Sequence, residues 1–381
     1  MKNNQFTGKG TRAVHAGVEP DPSTGAIMTP IFQTSTYVQE AVGVHKGWEY
    51  SRSHNPTRAA LESALATLEN GTHGLAFASG LAAIDTVLKT LKPGDEVISG
   101  EDLYGGTARL FRANFAPMGI VFHFVDTQQP ALVEAAINEK TRLVWLESPT
   151  NPVMQITDIA AIAALTKPRG ILLAVDNTFA SPMLQRPIEH GADIVMHSVT
   201  KYLGGHSDVV MGALISASAE INAPLQTIQN NCGAIAQPFD SFLVLRGLKT
   251  LHLRIERHCA NGRKIAHWLC EHPGVEDHPG HDIAARQMDD FGGMIGFEIA
   301  TKSEEQAKAI VASTELFTLA ESLGGVESLI EHPAAMTHAS VSAEVRAKLG
   351  ISGGFIRLSV GVEDAKDLIA DLDQAFKKAG V

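Results

Sequence analysis

From about residue 55 onward, short apolar runs alternate with stretches of helical periodicity, and no other feature constrains the fold as tightly. The runs are Glu96-Val97-Ile98-Ser99, residues 120–125, Leu143-Val144-Trp145-Leu146, and residues 171–175, 192–196 and 209–215. Runs that are apolar on both faces and separated by helices require a mainly parallel sheet covered on both sides. Asn55-Pro56 supplies a cap and a first-turn proline for a helix in which Leu61, Leu65 and Leu68 recur at helical spacing, and Gly71 is expected to end it. After Gly247 the texture changes. A helical segment over about 249–271 leads into a His-, Pro- and Gly-rich loop, then to shorter strands near 293–299, 315–318 and 355–360 and a final helix from about 363. The expected organisation is α/β: a large, mainly parallel sheet domain over 51–247 and a smaller C-terminal α/β domain over 248–381. Residues 1–50 are rich in turn formers and lack a sustained period, so they should form an arm lying across the body or a neighbouring subunit.

Composition narrows the function classes. Of 381 residues, 44% are hydrophobic and 19% charged, which excludes disorder as the main state. Lys plus Arg is 31 against 42 Asp plus Glu, a net charge of −11 with no basic run, so neither nucleic acid nor an anionic membrane is expected as a partner. Cys232, Cys259 and Cys270 are odd in number and widely spaced, as suits a reducing compartment. With no apolar signal core at the start and no run of about 18 apolar residues, the expectation is a soluble cytoplasmic protein. His272, His278 and His281 cluster with Asp277 and Asp282 but lack the spacing of an ordered ligand set, so no metal is expected.

Five segments could carry chemistry. In His197-Ser198-Val199-Thr200-Lys201, a lysine follows an apolar run with hydroxyls at −3 and −1. That suits an amine condensing with an aldehyde while Ser and Thr bind a phosphate; a surface lysine in a polar turn is the plain alternative. Asp176 ends the apolar run 171–175, where open α/β sheets bind ligands, although an aspartate there can simply cap the next turn. Ser79-Gly80-Leu81 opens an apolar helix and offers free backbone amides to an anion. Neither Gly-x-Gly-x-x-Gly nor a Walker-type Gly-Lys-Ser/Thr is present, so a phosphate site here need not be a nucleotide site. Tyr50-Ser51-Arg52 and Tyr104-Gly105-Gly106 place an aromatic in polar loops, fit for ring stacking or for ordinary packing. Arg357 lies inside the apolar strand Phe355-Ile356-Arg357-Leu358-Ser359 and needs a partner, either a substrate carboxylate or a structural salt bridge.

Taken in order, these segments resemble the Cys/Met-metabolism family of pyridoxal-phosphate (PLP) enzymes, of the aspartate-aminotransferase fold type (fold type I). The resemblance runs from about Thr11 to the last helix. It is carried by Glu49-Tyr-Ser-Arg-Ser-His-Asn-Pro-Thr57, Ala78-Ser-Gly-Leu-Ala-Ala83, Asp102-Leu-Tyr-Gly-Gly-Thr107, Glu147-Ser-Pro-Thr-Asn-Pro152, Val175-Asp-Asn-Thr-Phe179, the Lys201 segment and residues 319–329. It implies that Lys201 is the Schiff-base and proton-moving residue, that Asp176 pairs with the pyridine nitrogen, and that Tyr104 stacks on the ring. Gly80 and Leu81 amides, with Ser198 and Thr200, would hold the phosphate. Tyr50 and Arg52 would reach the phosphate of a neighbouring subunit in a homotetramer built from active dimers. Arg357, Ser322 and Asn151 would form the α-carboxylate site.

Within the family the chain looks most like the cystathionine γ-lyase branch, with γ-synthases close behind. The implied reaction is γ-elimination of L-cystathionine to cysteine, 2-oxobutyrate and ammonia. If a thiol adds to the intermediate instead, the same site performs γ-replacement of an O-acyl-homoserine with cysteine. The resemblance places Glu321, at an acidic position suited to the distal ammonium, and Glu49 near the distal end of the substrate, and Glu49 also leans toward the lyase. Gly106 stands where methionine γ-lyases carry Cys, and no aromatic stands near Leu323 as in many β-lyases. A non-catalytic PLP-binding homologue would require loss of the lysine or aspartate, and both are present. Two departures stand out: Gly204 replaces a usual Asn, and residues 272–282 look shortened.

Overall fold

Asn55 starts the helix Pro56–Leu68 as its position implies, its side chain accepting hydrogen bonds from the amides of Thr57 and Arg58. The helix ends one residue earlier than expected. Asn70, not Gly71, takes the left-handed conformation (φ 56), and the Gly71 amide returns to the Ala66 carbonyl at 2.9 Å. Gly71 is needed for a different reason: a Cβ there would run into Ile215. These details come from a computed structural model that describes residues 7–271, 278–339 and 341–381.

All six apolar runs are strands, joined by a seventh that the pattern did not reveal. They are β1 (His73–Phe77), β2 (Glu96–Gly100), β3 (Val121–Val125), β4 (Thr141–Glu147), β5 (Leu172–Asp176), β6 (Ile194–Ser198) and β7 (Gly212–Ser216). Their order is β1-β7-β6-β5-β4-β2-β3. Every pair from β6 to β3 is parallel, and only β7 runs against its neighbours. Leu61 and Leu65 pack on one face with Val195 and Ile215, while Ile84 and Val87 pack on the other with Ile194 and Leu214. Each such side chain contributes about 1.5–3 kcal/mol by leaving water. Burial on both faces is why these runs read as continuous rather than alternating.

A second sheet holds β8 (Met294–Glu298), β9 (Thr318–Leu319), β10 (Leu329–Glu331) and β11 (Phe355–Ser359), in the order β8-β11-β10-β9. The short strand β10 was not expected. It pairs antiparallel with β11 and sets Glu331 directly opposite Arg357. The helix Leu251–Glu271 serves both cores: Leu251, Ile255 and Cys259 join the large sheet, Ile265 and Leu269 the small one.

The N-terminal segment is not wholly irregular. Lys9–His15 is helical and buries Ala13 against the large-sheet core. Residues 20–50 hold only isolated bridges, Thr36 to Tyr50 and Ala41 to Val44, and leave Ile27, Val38 and Val42 exposed. Among the described residues, no helix is long and apolar enough to cross a membrane, and no group of three metal-ligating side chains occurs.

Candidate active site

The carboxyl ends of β4, β5 and β6 open into a cavity of about 370 Å³. Into it the fold brings Gly80, Leu81, Tyr104, Asn151, Asp176, Ser198, Thr200, Lys201, Glu321, Ser322 and Arg357. These residues come from both sheets and span most of the chain. Ligands bind at the carboxyl edge of an open parallel sheet because the connecting loops diverge there.

Lys201 Nζ donates to Ser322 Oγ at 2.6 Å. Burial, and then the positive charge of Arg357, lower its pKa from 10.5 to about 8. Ser322 holds a φ of 100°, an unusual value for a non-glycine residue, and its carbonyl accepts from Arg357 Nη2 at 2.8 Å. Arg357 Nη1 also donates to Asn151 Oδ1 at 2.6 Å and lies 3.0 Å from Glu331 Oε1. Arg357 and Glu331 are 2% and 1% exposed, so their charges are compensated mainly by each other. The strand arginine therefore has a structural salt-bridge partner, and it also lines the cavity.

Asp176 Oδ1 accepts from the Thr178 amide at 3.0 Å and the Thr178 hydroxyl at 2.6 Å. Burial raises its pKa, and these two bonds oppose that rise. Glu147 lies beside it in the sheet register, and burial followed by repulsion from Asp176 pushes its pKa well above the usual carboxylate range. Behind Asp176, His197 Nε2 and Glu69 Oε1 share a hydrogen bond of 2.5 Å, both side chains buried.

The residues fit PLP. Ser79 Oγ accepts from Ala82 N at 3.1 Å, leaving the Gly80 and Leu81 amides ahead of the first bonds of the helix Gly80–Leu88. Backbone amides there, at the positive end of the helix, suit a phosphate. A Cβ on Gly80 would stand 3.1 Å from Met196 Cε and 3.3 Å from Ser198 Cβ, so glycine lets the helix close on β6. The Thr200 hydroxyl donates to the Met211 carbonyl and accepts from the Met211 amide, at 3.2 and 3.0 Å. An amine with a lowered pKa, a buried carboxylate and an anion cradle therefore share one cavity.

Three expected site residues lie elsewhere within this chain. Tyr50 and Arg52 line a separate cleft with Arg58 and Gln237, and Arg52 Nη1 donates to the Asn230 carbonyl at 2.7 Å. Glu49 lies outside the cavity, 3.4 Å from His45 Nε2. Gly106 lies under the Tyr104 ring, and a Cβ there would collide with it. Gly204 sits in the turn after Lys201, where a Cβ would press on the Val199 carbonyl at 3.0 Å. Of the segment that looks shortened, residues 272–277 lie outside the described residues; helix His281–Gln287 follows.

Sequence reasoning assigned no role to Glu147, Thr337 or Glu331. Glu147 and Thr337 line the cavity, and the Thr337 hydroxyl donates to Glu331 Oε1 at 2.9 Å. Glu147 ends a buried strand just as Asp176 does, and the rule that marked one applies to the other. Glu331 carried no such signal, because its strand has only three residues.

The family model for Cys/Met metabolism PLP-dependent enzymes matches residues 10–377. The cystathionine beta-lyase of Coxiella burnetii is 52% identical, the match covering 98% of this chain and 99% of that protein. The cystathionine gamma-lyase of Dictyostelium discoideum is 51% identical over 97% of each chain. The crystal structure of metB from Corynebacterium glutamicum superposes with a TM-score of 0.95 at 47% identity, over 98% of each chain.

Proposed function

The chain belongs to the Cys/Met metabolism family of PLP-dependent enzymes, and on that premise we propose that it cleaves L-cystathionine by γ-elimination to cysteine, 2-oxobutyrate and ammonia. The observation that carries this reading is the presence of opposite charges in one cavity, Arg357 buried within it and Glu321 on its more exposed lining. Cystathionine offers an α-carboxylate to the first and a distal ammonium to the second.

Bound PLP supplies an aldehyde and a cationic ring that withdraws electrons from the substrate's Cα. The chain does the rest. Asp176 would pair with the ring nitrogen, Tyr104 would stack on the ring, and Gly80, Leu81, Ser198 and Thr200 would hold the phosphate. Arg357, Asn151 and Ser322 orient the α-carboxylate. Lys201 is a workable base near neutral pH because its pKa is only about 8. It takes the proton from Cα and then moves one from Cβ, while the Tyr104 hydroxyl gives a proton to the departing thiolate. Tyr50 and Arg52, on the cleft outside this cavity, complete the phosphate site of a neighbouring subunit, with Glu49 beside them. This organisation divides the chain into an intersubunit arm (1–50), a PLP-binding domain (51–247) and a smaller domain (248–381), in a cytoplasmic homotetramer. The exposed apolar side chains of residues 20–50 support a covered arm.

A product assay tests the reading. With cystathionine alone, 2-oxobutyrate and cysteine are expected. Pyruvate and homocysteine would replace γ-cleavage by β-cleavage. Turnover only of an O-acyl-homoserine with cysteine would make the enzyme a γ-synthase.

A further inference from the structure

Glu147 is the last residue of β4, and Asp176, its neighbour in register, is the last of β5. Its buried carboxylate lines the cavity but is occupied by two backbone amides. Oε2 accepts from Tyr104 N at 2.9 Å and Oε1 from Asn151 N at 2.8 Å. The two amides belong to different loops: Tyr104 precedes the helix Gly105–Leu110, and Asn151 follows β4. Tyr104 is 42% exposed, so side-chain packing does little to hold it, whereas its amide is tied to the end of a central strand. Asn151 in turn gives its side-chain oxygen to Arg357. A carboxyl group sets a separate acceptor oxygen before each amide, whereas a terminal amide has one acceptor oxygen and presents hydrogens on the other side. Two further carboxylates, Asp176 and Asp102, act on Glu147 unfavourably. An acid kept among like charges is costly, and a bond to each loop offsets that cost.

We propose that Glu147 is a positioning residue whose single carboxylate holds Tyr104 for the cofactor ring and Asn151–Arg357 for the substrate carboxylate, coupling the two halves of the site. This rests on the proposed roles of Tyr104, Asn151 and Arg357. Glu147→Gln keeps the shape and loses one of the two acceptors; Glu147→Ala loses both.

The measurements are the PLP affinity of the apoenzyme by absorbance titration, KM and kcat at saturating PLP on the substrate the product assay identifies, and the apoenzyme melting temperature. For Glu147→Ala, PLP affinity should fall and KM rise, each about tenfold, the cost of leaving one buried amide without its partner, with a smaller change in kcat. Glu147→Gln should show a smaller loss in at least one of the two. The PLP effect of Glu147→Ala should shrink in a Tyr104→Ala background and its KM effect in an Asn151→Ala background, because the group acted upon is then gone. A lower melting temperature with unchanged PLP affinity and KM would reduce Glu147 to a structural residue. Undiminished effects in both double variants would show that it acts directly and overturn the coupling. If Tyr104→Ala and Asn151→Ala alone change neither quantity, the underlying site assignment fails and the proposal with it.

Discussion

Replacing Lys201 with methionine should stabilise the cofactor-free protein. Lys201 is mostly buried, and loss of hydration, then Arg357, lower its pKa from 10.5 to about 8. The folded chain therefore binds this proton more weakly than the unfolded chain does. A difference of about 2.5 units at 1.36 kcal/mol each amounts to about 3 kcal/mol. Below pH 8 both states are protonated and the whole penalty falls on the fold. Between pH 8 and 10.5 the folded state gives up its proton first, so the penalty shrinks; above 10.5 it is gone. Methionine keeps most of the stem's packing and removes the amine, at the loss of the hydrogen bond to Ser322, worth about 1 kcal/mol. Urea denaturation of both apoproteins at one protein concentration should show the variant about 2–3 kcal/mol more stable at pH 7. That gap should close by about pH 10.5. A gap absent at pH 7, or flat across this range, would refute the claim that the fold holds Lys201 as a poor proton binder. The same shift leaves about a tenth of the amine neutral at pH 7, against about 0.03% for an ordinary lysine.

Further expectations concern assembly, specificity and the ring site. Mixing Arg52→Ala subunits with Lys201→Ala subunits should partly restore activity, since one site of a mixed dimer is intact; no recovery despite proven subunit exchange counts against a shared site. Glu321→Ala should lower kcat/KM on cystathionine by about tenfold and spare short neutral substrates, and equal loss on both would reassign it to a structural role. Gly106→Ala should displace the Tyr104 ring and weaken PLP binding in a fluorescence titration; unchanged affinity would mean that the ring does not stack on the cofactor.

Local chemistry made part of this protein legible. A buried parallel strand must be apolar on both faces whatever surrounds it, so the runs at 96–99, 143–146 and 171–175 announced themselves. Asn55 capped its helix because a cap depends on the next three residues alone. Asp176 and Lys201 could be found because each stands directly after such a run, at the edge where an α/β sheet binds ligands. β1, by contrast, went unseen. Its sequence, His73-Gly74-Leu75-Ala76-Phe77, is weakly apolar, and it becomes a strand by pairing with β7, where Leu75 lies opposite Leu214, 139 residues further on.

The site depended on tertiary structure for what joins its parts. Arg357 plainly needed a partner, but Glu331 could be named only once β10 lay against β11, because a three-residue strand has too little pattern to read and gains its stability from its neighbours. Likewise Glu147 faces the amides of Tyr104 and Asn151 only because two loops converge on one strand end. Tyr50, Arg52 and Glu49 sit in the same motif family as the cavity residues yet outside the cavity, since a motif records residue types and not the direction in which the chain carries them. Sequence alone determined which residues can do chemistry and which strand ends carry them, because those depend on side-chain type and nearest neighbours. The folded chain decided which of them meet, because hydrogen bonds and ion pairs require atoms within a few ångströms and only the packing of both sheets brings them there.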